Sequence, residues 1–345
     1  MLGIVFAAFS IISVVYSASA QGVSSNNSAI PVTVDNFARA ETDNYFAVNA
    51  EEAGGLGKLS HRREPASIDS QTVIRLNRDT LYSFGVFDLA AGPVTITLPD
   101  AGKRFMSLMI VNEDHYVPVV AYDSKPHTLT EKNVGTRYVM VAVRTLVDPN
   151  DPKDLDEAHK LQDTIKASQK DTGKLELPNW DQTSLKEVRD ALLVLAKHTN
   201  GFSRSFGTKN EVDPVHHLIA TAAGWGGNPD KDATYVGVAP TKNDGTTVYK
   251  LTVPRNVPVD AFWSISVYNA AGYFERNPSN AYTLNNITAK KDSDGAVTIQ
   301  FGGCDGKTPN CLPIMPGWNY LVRLYRPRSE ILNGKWHFPE AQPAG

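Results

Sequence analysis

The sequence carries no excess charge of one sign. Lys and Arg number 34 against 37 Asp and Glu, a formal net charge of −3 with both signs mixed over 345 residues. That excludes the basic footprint of a nucleic-acid binder. After residue 20 no apolar run is long enough to span a bilayer. The usual catalytic signatures are also missing: there is no G-x-S-x-G elbow, H-E-x-x-H pair, P-loop or G-x-G-x-x-G turn. These absences remove the plain forms of serine hydrolase, zinc protease, kinase and dehydrogenase. They leave enzymes built from scattered residues. Cysteine is scarce, with only Cys304 and Cys311 in "GGCDGKTPNCLP".

What is present reads as an exported, folded protein. Residues 1–20 have the apolar run and the small-residue stop (Ala18-Ser19-Ala20) of a secretory signal peptide, and 21–32 read as a flexible linker. An uncleaved membrane anchor is the rival, for which the apolar stretch is short. Export to a secreted or periplasmic location brings the chain into an oxidising compartment. There Cys304 and Cys311, separated by turn residues, are expected to form a short disulfide. A metal pair at these cysteines would need more ligands than the spacer offers, and no ligand motif elsewhere supports a divalent metal cofactor.

The length predicts two domains. Short strands are expected at 80–89, 93–98, 104–112, 116–121 and 137–145 and again at 247–253, 260–269, 281–288, 297–302 and 318–326, bounded by turn residues. Helical periodicity appears just after the linker with Asp35 as N-cap, at 154–168, at 184–199 with Ser184 and Glu187 as a capping box, and from Asp213 to Gly224. The fold class that follows is mainly β with helical insertions (α+β): two sandwich or jelly-roll domains joined and covered by helices. The expected division is 33–150, a helical connector at 151–212, and 213–345.

Candidate chemistry sits at strand ends. "IRLNRDTLYS" (74–83) begins a strand with Arg75, Asn77, Arg78 and Asp79, charges that a buried strand excludes unless they are paired. Asn77 and Asp79 are read as structural, bonding backbone amides where the strand starts. Arg78 and Tyr82 are read as ligand-binding. Asp114 and His115 in "VNEDHY" form either an acid–base or metal-binding pair or an ordinary turn. On the third helix His216 lies at the edge of an apolar stripe (Val215, Leu218, Ile219, Ala222) and His217 points away, so His216 is the catalytic candidate or a half-buried structural histidine. Arg323, in the middle of a strand, needs a carboxylate or a pocket rim. With Arg75, Arg78, Arg104 and Arg144 it could hold an anion.

Long stretches carry a family resemblance. "NFARAETDNYF", "IRLNRDTLYS", "MSLMIVNEDHY" and "VRTLVDP" resemble the N-terminal domain of unknown function 1254. "DAFWSISVYNAAGYFERNP" and "NYLVRLYRPRSEILNGKWHFP" resemble its C-terminal partner, domain of unknown function 1214. The resemblance implies an exported protein of two jelly-roll-like domains and no agreed activity, so no catalytic residue carries over. Two positions depart from the pattern: Leu76 where proline is usual, and Cys311 where tryptophan is usual. Two functions stay open. One is a hydrolase-like enzyme acting on a small or anionic substrate between the domains; the other is a non-catalytic binder of a ligand or glycan. A structural assembly protein would need a broad apolar interface, and a homo-oligomer is compatible with the sequence.

Overall fold

The computed structural model describes residues 28–71, 74–199 and 201–344; the expected signal peptide and most of the expected linker lie outside them. The strands are β1 (Ser60–His61), β2 (Thr80–Asp88), β3 (Val94–Thr97), β4 (Met106–Asn112), β5 (Val119–Ala121), β6 (His127–Leu129), β7 (Tyr138–Leu146), β8 (Lys166–Gln169), β9 (Ala233–Val238), β10 (Tyr249–Val253), β11 (Trp263–Tyr268), β12 (Thr283–Asn285), β13 (Val297–Phe301), β14 (Cys311–Leu312), β15 (Asn319–Tyr325) and β16 (Gln342–Pro343). The helices are α1 (Phe37–Glu52), α2 (Glu131–Val134), α3 (Pro152–Asp163), α4 (Gln182–Ala196), α5 (Pro214–Ala223) and α6 (Ser329–Leu332). The fold is mainly β with helices, as the patterning predicts. Among the described residues no helix is long and apolar enough to cross a membrane.

Each half of the chain stacks two sheets around an apolar core. In the first half the sheet β1-β2-β7-β4-β5 faces the sheet β6-β3-β8. Phe87, Leu108, Ile110, Val141 and Val143 of the larger sheet pack there with Val94 and Ile96 of the smaller. The segment 151–212, expected to be helical, thus also supplies a strand, since β8 pairs with β3. In the second half β14-β13-β10-β16 faces β12-β11-β15-β9 around Tyr249, Ile265, Ile299, Trp318 and Val322. Strand alternation explains both cores, because every second side chain enters the same layer.

Helix α1 covers the outer face of the larger first sheet, with Phe46 and Ala50 against Val86, Met109 and Met140, and α4 and α5 pack on α1. Asp151, Asp181 and Asp213 cap α3, α4 and α5 by accepting from backbone amides of the first turn. Two expected caps differ. The N-cap of α1 is Asn36 rather than Asp35. Ser184 is not a cap: its hydroxyl accepts from the Val32 amide, and Asp181 caps α4 instead.

The inward face of α5 also differs from expectation. Val215 is 63% exposed, while His217, Ile219, Ala220 and Thr221 are buried. The helix leans on the polar turn after β4 as well as on α1 and α4, so its polar edge, rather than the whole apolar stripe, is turned inward.

Candidate functional site

The charge cluster before β2 lies where the two halves meet. Asn77 behaves as the sequence suggests: its Oδ1 accepts from the Asp79 amide at 2.8 Å, and its Nδ2 reaches the hydroxyls of Tyr82 (3.1 Å) and Tyr325 (3.0 Å). Asp79 does not take backbone amides. Its carboxylate, fully buried, accepts from Ser264 Oγ at 2.6 Å and Thr283 Oγ1 at 3.2 Å on the opposite half. Burial pushes its acidity down, against the pull of Arg323 and these hydroxyls. Asp79 is therefore a staple between halves, formed by contacts that no local pattern reveals.

Arg323 makes no direct ion pair and lines no pocket rim, but the buried Asp79 carboxylate lies near enough to favour its charge. It is 2% exposed and donates to Ser266 Oγ (2.8 Å), Tyr268 Oη (2.7 Å) and the carbonyls of Arg75 (2.8 Å) and Leu76 (3.2 Å). It clamps the cluster's backbone to β15. Arg75, in the left-handed region at φ 54°, donates to Asn319. Arg104 forms an ion pair with Asp154.

Arg78 is half-buried, donates to the Ala66 carbonyl and lies 5.4 Å from the Tyr282 ring centre. It lines a cleft of about 360 Å³ between Pro149 and Asn150 on one side and Ser279–Leu284 with the 304–312 loop on the other. Arg78 is the one charged residue among the described residues lining it; Asn150, Ser279, Asn280 and Thr308 supply amides and hydroxyls. Cys304 and Cys311 are joined by the expected disulfide, which forms part of the wall.

Tyr82 does not line that cleft. Pairing in the sheet sets it opposite Arg144 of β7. Arg144 is 7% exposed, donates to the Gly226 carbonyl at 3.0 Å and lies 5.5 Å from the Tyr82 ring centre. Burial opposes its charge, but the phenols of Tyr82, Tyr235 and Tyr325 outweigh burial and hold the guanidinium firmly protonated. Burial alone would raise the Tyr82 phenol; Arg144 and hydrogen bonds from Thr80 and Asn77 instead bring it below its ordinary value. Tyr325 goes the other way, raised by burial and by its neighbouring phenols.

The three acid–base candidates do not converge. Asp114 pairs with Arg39 at 2.6 Å. His115, fully buried at φ 64°, has its Nδ1 2.8 Å from Thr221 Oγ1, and its Nε2 accepts from the Gly226 amide at 2.8 Å. Burial first, and then His217, push the His115 imidazole well below its ordinary range. His217, not His216, stacks on it at 5.3 Å. His216 is half-buried and contacts the Ser203 carbonyl. Among the described residues no group of three or more His, Cys, Asp or Glu is placed to hold a metal.

The sequence reading missed Arg144 paired with Tyr82, and Tyr325 beside them. The detectable signal was an arginine inside the apolar run "YVMVAVRTL" with no acidic residue in the same strand.

Residues 56–131 match the family model described as protein of unknown function (DUF1254), and residues 234–329 match protein of unknown function (DUF1214). No curated protein matches the chain. The structure is similar to the VPA0106 protein from Vibrio parahaemolyticus at 17% identity and a TM-score of 0.67, covering 90% of this chain and 98% of that one. An uncharacterized protein from Burkholderia cenocepacia is similar at 13% identity and a TM-score of 0.49, over 89% and 86%. The first likeness shows the shared fold.

Proposed function

We propose that this chain, which carries both domains of the two-domain family of unknown function in their N- to C-terminal order, is an exported protein that binds a small anionic, hydroxylated molecule in the cleft between its halves. The observation that carries the reading is the cleft itself. A single cation, Arg78, stands among neutral hydrogen-bonding groups, and no acid among the described lining residues opposes an anion. An arginine fork suits a carboxylate or sulfate, and amides and hydroxyls suit a polyol. The volume fits a molecule the size of one or two sugar rings. Export is supported by the disulfide, which an oxidising compartment preserves. The proposed division of the chain at 33–150, 151–212 and 213–345 belongs to the same reading.

Calorimetric titration tests the binding, with D-glucuronate as probe and D-glucose as the uncharged control. Glucuronate should bind, glucose should bind at least tenfold more weakly, and Arg78→Ala should remove the difference. Equal binding of both sugars, or none of glucuronate, would overturn the reading.

A further inference from the structure

Among the described residues the four sheets end in eight edge strands, and one of these is unlike the rest. Seven run for only two to four residues; of these, β8 carries Lys166 and β16 carries Pro343. Shortness, lysine and proline are the means by which proteins keep sheet edges from pairing with other chains. β9 has none of them. It runs for 6 residues as "ATYVGV", and no charge occurs from Ala233 to Thr241.

The register shows what this edge offers. The Arg326 amide donates to the Asp232 carbonyl at 2.9 Å, and Thr234, Val236 and Val238 follow in the same phase toward Leu324, Val322 and Tyr320 of β15. Tyr235 and Gly237 therefore turn their amides and carbonyls to the open side, where among the described residues they have no hydrogen-bond partner. Tyr235 is 37% exposed, and Gly237 is exposed as well. A Cβ at Gly237 would touch only Leu321, at 4.0 Å, so the space above that residue is open.

We propose that β9 is the interface of a two-fold homodimer, pairing antiparallel with β9 of a second copy about an axis at Val236. That register sets Tyr235 opposite Gly237 of the second copy and the reverse, and each such pair exchanges both of its free backbone groups. The Tyr235 ring then covers the facing glycine, a cross-strand contact that steadies glycine at a sheet edge. Val236 meets its own counterpart. Just outside the strands, Lys242 of one copy comes opposite Asp230 of the other, and the two-fold axis repeats that match. The occupant is a second copy rather than a foreign peptide because β9 complements itself in hydrogen bonds, in shape and in flanking charge. The sheet β12-β11-β15-β9 then continues across the axis into its twin.

Sedimentation velocity of the intact protein from about 1 μM to about 100 μM tests this, a range suited to an interface at the small end of the specific class. A monomer–dimer equilibrium should appear, and amide exchange at Tyr235 and Gly237 should slow as concentration rises. Gly237→Pro removes an outward amide and leaves the ladder to β15 intact. It should weaken dimerisation at least tenfold, with an unchanged melt in dilute solution. Where the proline lowers that melt, Gly237→Lys carries the test, because its side chain enters open space and sets a charge on the edge. A protein that stays monomeric throughout overturns the proposal. So does a dimer that survives the substitution, or one that forms without protecting Tyr235 and Gly237.

Discussion

At the scale of single residues, neighbours in sequence have opposite fates. Asp79 is surrounded by hydroxyls of the other half and faces Arg323, whereas Arg78 touches one carbonyl and a ring at the edge of a cleft. Removing Asp79 strands buried donors and an arginine, so Asp79→Ala should cost about 3–5 kcal/mol. Arg78→Ala should cost no more than about 1 kcal/mol, because water can enter the cleft. Paired thermal melts decide it, and equal losses would make the whole cluster structural. Asp43 on α1 gives a second residue-scale case. It is 1% exposed, with one oxygen on Trp180 Nε1 and the other without a partner. Burial raises its carboxyl from 3.8 to about 6. Folding therefore binds a proton between those values: stability falls as pH rises through this window, and above it the charge costs about 3 kcal/mol. Asp43→Asn keeps an acceptor for Trp180 and should raise the melting temperature at neutral pH. The gain should vanish near pH 4, the ordinary carboxylate value; a gain that persists there would refute the account.

At the scale of elements, what was legible is what depends on local pattern. Alternation in Tyr82, Phe84 and Val86 against Leu81 and Phe87 is enough to orient β2, and the predicted strands lie within a few residues of the observed ones. The disulfide followed from spacing and compartment. The inward face of α5 did not, because an apolar stripe predicts burial only when the surface beneath it is apolar. Here that surface presents Asp114 and Ser205 carbonyls to His217. Arg144 was noticed as an arginine, but its partner is set by the β2–β7 register, which no single strand contains. The 304–312 loop carries an element-scale prediction. Its disulfide closes a loop with a sequence separation of 7, which on chain-entropy grounds adds about 2–3 kcal/mol. The rest of its half is held by a separate apolar core, so reduction should speed amide exchange in 304–312 while leaving β10 and β13 protected. Loss of protection across both strands would show that the bridge supports the whole sheet.

At the scale of the molecule, the question is whether the two halves are separate folding units. Their matched family models suggest two domains, yet the contacts between them are not those of loosely docked neighbours. Leu146 shares an apolar cluster with Phe262 and Tyr325, and the Phe105 ring lies 5.2 Å from Phe262 and 5.5 Å from Tyr325. Asp79 and Arg323 each bury their charge against the opposite half, and α5 packs on α1 and α4 of the first. Separation would leave these charged groups facing water or unpaired in a broken core, and either outcome couples the halves. We expect one calorimetric transition, with equal van't Hoff and calorimetric enthalpies. Asp79→Ala should lower that transition without splitting it. Two transitions in the unaltered protein would show that the halves fold apart, and the cleft between them would then open without unfolding.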